Sequence, residues 1–456
     1  MGEIAMKRLN QSWNMLLLLF SFILLCSPAW GADEIKIGII GPMEMIYGQN
    51  HWNGAVLAAD ELNAAGGIKV GEKRMKVKLI KADSDEIFST ATAVNAIEQL
   101  ILRDKVNFVM GGIVTEACLA MQDVAMDNKT LFFTAGPAHP ELCDRVIRDY
   151  NRYKYYFRLS PFNSTYLSKN LISFVRSITA KMNKELDIKQ IKVGILAEKD
   201  MWADPIVADA KQMLPKMGLE IAGVWRISPS AKTLTAELAD VQRSGCHILL
   251  TILNGPAGVV LGRQYGELKV PTIITGILTQ CATLKWMDIT QGMGNYVMTA
   301  TNYVQDMEYN ELTKPFVDEF IKRYGDLPAF TADTYTGVKY ILRQTIEEVG
   351  SLDPEKMIPY LESHYIKVPP GIGALEKDEL GRHRHDLKWG PGYITGIGAQ
   401  WQDGKFVAVW PHFVWHSPYW DFAVEPSDTP TSNEISYKGM KPFVFPPWVV
   451  EAYGKK

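Results

Sequence analysis

Apolar and polar positions alternate along this chain in two rhythms that take turns. Strand-like runs are IKIGII over 35–40, MKVKLIKA over 75–82, VNFVMGG over 106–112 and LFFTAG over 131–136. Between them the period becomes helical. Over 52–63, Trp52, Ala55, Val56, Ala59 and Leu62 share one face, and Ala65-Gly66-Gly67 ends the helix. Over 90–102, Val94, Ile97 and Ile101 make a second stripe, with Ser89 placed to cap it. The order predicts a parallel sheet covered by helices on both faces.

Near Arg158-Leu159-Ser160-Pro161 the order restarts. Strands are predicted over 191–197, 219–227, 246–253 and 271–277, alternating with helical segments such as 231–243. A further strand over 295–303 precedes helices over 311–324 and 331–349. QWQDGKFVAVW (400–410) reads as a hairpin turning on Asp403-Gly404. Residues 413–456 carry several Pro and Trp residues without helical period, which predicts a tail packed on the body, since tryptophan is seldom left in water. The fold class is therefore α/β, with two doubly wound parallel-sheet lobes. Facing strand ends leave a cleft between such lobes, where small-molecule sites are favoured.

At 456 residues the chain is long enough for at least two domains. A hydrophobic fraction of 47% supports packed cores, and a net charge of −3 without a basic block argues against nucleic acid. The first 31 residues read as a cleavable signal peptide: Lys7 and Arg8, the run MLLLLFSFILLC (15–26), then small residues at Ala29 and Gly31. Cleavage is expected after Gly31. Leu25 is bulky where lipid attachment at Cys26 would want a small residue. Export permits disulfides among Cys118, Cys143, Cys246 and Cys281. Cys118 with Cys143 is the preferred pair, with buried free thiols as the alternative.

The loop after the first strand, IGPMEMIYGQ, lacks the spacing G-x-G-x-x-G, and no phosphate-loop motif occurs. No nucleophile elbow or zinc-protease motif is present, so an enzyme is disfavoured. His383 and His385 are flanked by Arg382 and Arg384, which predicts a solvated loop and no metal pair. Neither cofactor nor metal is expected.

IKIGIIGPM…YGQ, NGAVLAADELNAAGGI, KVKLIKADSD, VMGGIVTEA, FTAGPAHPEL and FRLSP follow one another, and KVGILAEKDMW and GPAGVVLGRQYGEL come later. In this order they resemble the periplasmic solute-binding proteins of ABC importers, branched-chain amino-acid (Leu/Ile/Val-binding) type. The resemblance covers roughly 34–412. It implies a bilobed type I periplasmic-binding-protein fold joined by a three-strand hinge, with crossings near 158, 301 and 366. Lobe 1 is expected over 32–158 plus 302–366, and lobe 2 over 159–301 plus 367–412. It also implies a periplasmic location, a small-molecule ligand, delivery to a membrane permease, and action as a monomer.

The same resemblance implies site residues: Tyr47 on the loop after the first strand, the hydroxyl of Thr115, the backbone of Gly136, and Trp202. Ala138 stands where the family carries a threonine, Leu253 or Asn254 where it carries an aromatic, and Ile277 where it carries the acid that pairs with the ligand's ammonium. Tyr303 is expected beside the apolar body. No acid lies from 268 to 287. Glu116 and Glu198 are the carboxylates in the cleft loops that remain. An apolar residue in the ammonium position points to a hydrophobic or aromatic carboxylate, because a buried ammonium without a partner is costly. A branched-chain amino acid or amide stays open as an alternative, as does a ligand-sensing role in signalling.

Overall fold

The computed structural model describes residues 34–159, 162–390, 393–414 and 434–454. The signal peptide expected over 1–31 lies outside them, as does the stretch 415–433 of the tail.

The first sheet is built from β1 (Glu34–Gly41), β2 (Ile68–Val70), β3 (Lys73–Asp83), β4 (Phe108–Gly111), β5 (Leu131–Thr134) and β6 (Tyr156–Arg158), in the order β2-β3-β1-β4-β5-β6. Only β2 runs antiparallel to its neighbour. Ile37 pairs with Leu79 on one side and Phe108 on the other, so the apolar run 35–40 sits in mid-sheet. Its burial on both faces is what a parallel sheet demands. The second sheet has β7 (Lys192–Glu198), β8 (Glu220–Ile227), β9 (Ile248–Leu253) and β10 (Ile273–Leu278), all parallel, in the order β10-β9-β7-β8. β11 (Met298–Thr301) pairs antiparallel with β16 (Ile397–Gln402), which forms the expected hairpin with β17 (Lys405–Trp410).

The helix after β1 starts earlier than its apolar stripe suggests, at Ile46, and runs to Ala64. Tyr47 therefore stands in its first turn. Gly48 makes this start possible: a Cβ there would lie 2.3 Å from the Pro42 carbonyl oxygen. Ser89 caps the helix Thr90–Glu98 through a 3.2 Å bond from the Thr92 amide, and a π-turn (Gln99–Arg103) follows.

Three passages join the lobes. The first leaves β6 and enters the helix Ser164–Glu185, capped by Asn163. Arg158 and Asp386, both fully buried, pair at 2.9 Å, and Asp386 also accepts from the Asn163 amide at 2.9 Å. The second follows β11, where Asn302 and Tyr303 both donate to buried Asp333. The third lies later than the expected 366. β15 (His383–Leu387) still packs on the first lobe, with His385 stacked on Phe157 at 4.1 Å and bonded to the Tyr156 carbonyl. Strand β16 already pairs with β11, so the chain passes between lobes over 388–396. The hairpins at 366–387 extend the first lobe, which the fading apolar period there concealed.

Two further expectations change. The histidine pair sits in a strand, with His385 fully buried, and not in a solvated loop. Cys118 and Cys143 do not pair; all four cysteines in the described residues are free and buried. Residues 441–454 pack onto the second lobe. Lys441 N–H donates to the Ala408 carbonyl, and Trp448 on the helix Pro447–Tyr453 donates to the Val270 carbonyl.

Candidate functional site

The carboxyl ends of β4, β5, β7, β9 and β10 converge on one half-open cavity, with about 370 Å³ of empty space that includes its opening to solvent. The first lobe supplies Ile113, Gly136, Ala138 and Phe330; the second supplies Trp202, Asn254, Ile277 and Thr279, with Phe162 and Leu167 at the first crossing. Among the described residues that line it, none carries a charged side chain. Gly136 lets its loop press on the neighbouring one: a Cβ there would meet the Gly112 carbonyl oxygen at 2.3 Å.

On the first lobe, fully buried Glu86 receives the Ile113 N–H at 2.8 Å and the Val114 N–H. Burial raises its carboxyl to about 8 despite those donors. Next in the chain, at the start of the helix Thr115–Asp127, the Thr115 hydroxyl is buried without a hydrogen-bond partner. Leaving such a group unpaired costs about 1–3 kcal/mol. Glu116 beside it is exposed.

On the second lobe, Glu198 ends β7 and is 1% exposed. It accepts from the Trp202 indole at 2.8 Å and from the Asn254 and Gly255 amides at 2.9 Å each. Its carboxyl faces protein donors and not the cavity. Burial raises it to about 7, with the three donors working the other way.

Tyr47 stands at the mouth and joins the lobes. Its hydroxyl donates to the Asn254 carbonyl, accepts from the Gln280 amide at 2.6 Å, and lies 3.0 Å from the Thr279 hydroxyl. Burial pushes its phenol upward. Ser164 makes a second bridge, its hydroxyl 3.2 Å from the Ala138 carbonyl of the first lobe and 2.9 Å from that of Trp202.

Five residues expected from the sequence thus line the cavity together: Gly136, Ala138, Trp202, Asn254 and Ile277. Thr115 and Tyr47 are not among the lining residues, although Tyr47 bonds to two that are, Asn254 and Thr279. Leu253 and Tyr303 do not reach it. The pleat of β9 puts Ile252 and Leu253 on opposite faces, and Leu253 packs into the core. Tyr303 is buried, with its hydroxyl donated to Asp333 at 2.7 Å. Sequence reasoning missed Phe162, Leu167 and Phe330, which come from the crossing and from a short 3₁₀ turn. It also missed Thr279, although this residue is two positions past Ile277 and its hydroxyl contacts the Asn254 side chain at 2.9 Å.

A second space of ≈ 360 Å³ lies within the first lobe, under Phe133, Phe157, Leu361 and Leu387. Its one charged wall residue, Arg158, is already paired with Asp386. It offers little to orient a ligand. Among the described residues, no helix is long and apolar enough to cross a membrane, and no group of three His, Cys, Asp or Glu residues is placed to hold a metal.

Residues 34–387 match the family model of the periplasmic binding proteins. The chain belongs to that family. A relative from Brucella suis, described as Leu/Ile/Val-binding protein homolog 7, is 22% identical over 403 residues, covering 85% of this chain and 94% of its own. Two solved structures share the fold. The branched-chain amino acid transporter substrate binding protein LivJ from Streptococcus pneumoniae, in complex with isoleucine, has a TM-score of 0.67 at 17% identity, covering 82% of this chain and 98% of its own. A solute binding protein of an ABC transporter from R. palustris, in complex with benzoate, has a TM-score of 0.65 at 16% identity, covering 82% and 95%. The type I periplasmic binding fold expected from the sequence is the fold of this chain.

Proposed function

We propose that this chain is the solute-binding component of an ABC importer, exported by removal of residues 1–31, and that it carries a hydrophobic or aromatic carboxylate to a membrane permease as a monomer. The observation that carries the reading is the second-lobe wall of the cavity. Ile277 occupies it where an ammonium partner is expected, and Asn254 and Thr279 are its neutral polar groups. Glu198, the nearby acid, is committed to three N–H donors. An ammonium group would enter this space unpaired, and an isolated buried charge is strongly disfavoured.

A carboxylate has better prospects on the first lobe. The partnerless Thr115 hydroxyl is a donor, and the start of a 13-residue helix favours negative charge. Phe162, Trp202, Ile277 and Phe330 would surround the apolar body; a well-placed ring contact adds about 0.5–1.5 kcal/mol. That a fold relative holds benzoate accords with this reading. The second reading, a branched-chain amino acid, is favoured by the isoleucine complex and the Brucella relative.

A thermal-shift screen of the full chain against aromatic acids, aliphatic acids, amides and amino acids separates the two. A ligand at a hundredfold excess over its Kd stabilises the folded state by about 2.7 kcal/mol. A shift with benzoate-like acids and none with leucine, isoleucine or valine supports the proposal. The converse pattern overturns it in favour of the amino-acid reading.

A further inference from the structure

Glu198 makes no contact with the cavity, yet each group it holds does so or neighbours one that does. The Trp202 indole and the Asn254 side chain are both part of the second-lobe wall, and they reach it from different strand ends. One oxygen of Glu198 takes the indole N–H; the other takes the Asn254 and Gly255 amides. A carboxylate has about four lone-pair sites, so three are occupied by directional donors. The Asn254 carbonyl, on the far side of the same residue, receives the Tyr47 hydroxyl from the opposite lobe. One buried acid therefore fixes a ring, a turn and the acceptor of an interlobe hydrogen bond.

We propose that Glu198 is the positioning residue of the second-lobe wall, orienting Trp202 and the 254–255 turn for ligand without touching ligand itself. The inference rests on the reading that this cavity is the ligand site. Its physical ground is that bonds to an ionised acceptor are the strong ones and hold geometry best. A glutamate followed by Lys199 and Asp200 would otherwise be a solvated surface group, and burying it is costly without such a task. The ionisable groups facing it are Asp200 on its own loop, Tyr47 from the first lobe, and Arg226 of β8. The Arg226 guanidinium donates to the Glu198 main-chain oxygen and to Asp204.

The test uses the full chain, ligand-free, with the Trp202 indole N–H resonance identified by its loss in Trp202→Phe. In Glu198→Gln the amide carbonyl oxygen still accepts, but the NH₂ group is a donor and cannot take the place of the second carboxylate oxygen. The Trp202 indole signal is expected to move upfield, and hydrogen-exchange protection at Asn254 and Gly255 is expected to fall about tenfold, because a buried N–H that loses its acceptor opens more readily. Protection within 248–252 should be retained. In the wild type the indole signal should titrate as Glu198 protonates, and in Glu198→Gln it should not; this arm needs no variant to fold. Glu198→Asp, shorter by one methylene but still charged, should recover part of the protection. Benzoate and isoleucine serve as probes, and whichever binds the wild type should bind Glu198→Gln at least about tenfold more weakly, the equivalent of about 1.4 kcal/mol.

An unmoved indole signal with unchanged protection overturns the proposal. So does lost protection with unchanged probe affinity, because Glu198 would then serve the fold alone. If neither probe binds the wild type, the reading of the ligand fails by itself, and Glu198 is judged on the indole and exchange results.

Discussion

Glu86 and Glu198 stand on opposite lobes, and each turns its carboxylate away from solvent onto main-chain N–H groups of a cavity loop. The two are not equivalent. Glu86 holds its loop through the amides of Ile113 and Val114, with the Cys118 thiol nearby, so the shape of the first-lobe wall depends little on which side chains the loop carries. Glu198 adds the indole of Trp202, itself part of the wall. The first wall is thus held by backbone, while the second couples its shape to one aromatic side chain. A single substitution on the second wall therefore alters both surface and support.

The largest effect should come from removing the first-lobe acid. Glu86→Ala leaves two buried N–H groups without acceptors, at about 1–3 kcal/mol each. Urea denaturation should show a loss of about 2–6 kcal/mol, and a loss below 1 kcal/mol would mean that water replaces the carboxylate there. Next comes the polarity of the second wall. Ile277→Asp puts a carboxylate in an apolar site; it should destabilise the ligand-free protein by about 1–3 kcal/mol. It should also create a thermal shift with isoleucine that the parent lacks. Absence of any such gain would argue that ammonium selection depends on more than this position.

A smaller effect separates the two acids by pH. Their folded-state values are raised to about 8 for Glu86 and about 7 for Glu198, from an ordinary value of 4.5. The folded chain therefore holds more protons than the unfolded chain between those limits, and stability falls as pH rises. Burial lowers His51 to about 4, which acts oppositely between there and its ordinary 6.5. Above 6.5 the carboxylates act alone of these. The melting temperature should decline from pH 6.5 to 8, and Glu86→Gln should flatten that decline more than Glu198→Gln. Equal slopes in both variants would contradict the larger upward shift at Glu86. Buried Asp333, also raised to about 7, contributes in the same direction in all three proteins.

The smallest effect is expected at the mouth. Tyr47→Phe deletes the interlobe hydroxyl and should cost about 0.5–1.5 kcal/mol of the closed arrangement. Small-angle scattering of the ligand-free variant should show a larger radius of gyration. An unchanged radius would mean that Ser164 and the apolar contacts suffice to hold the lobes together.

Much of the fold was legible because strand and helix periods differ and apolar runs such as 35–40 and 248–253 are long. The cavity wall was legible where motifs of the family fall at strand ends or in the loops just beyond them: Gly136, Ala138, Asn254 and Ile277. It was not legible where the decision lay in three dimensions. Leu253 and Asn254 are adjacent, and the sequence does not say which side chain leaves the core. Glu198 in the run Glu-Lys-Asp resembles any solvated charge cluster until its three donors are seen. Trp202 was expected as a site residue; at 8% exposure it belongs to the second lobe's core as well as to the cavity wall. Trp202→Ala would confuse lost binding with lost packing, so Trp202→Phe is the cleaner substitution. The third crossing was misplaced because the two-stranded hairpins between 366 and 387 carry no period long enough to assign them to a lobe.

The C-terminal segment bears on the mechanics of the whole molecule. Before it reaches the second lobe, its Lys438 pairs main chain to main chain with Glu308, and the Tyr437 ring meets Tyr309 at 4.7 Å, on the stretch that leads from the second crossing into the first lobe. It then runs on to Ala408 and Val270. The two lobes are therefore joined by a fourth, non-covalently fastened strap. A strap fastened on both sides adds a point at which any turn of one lobe against the other must carry or release residues 437–441.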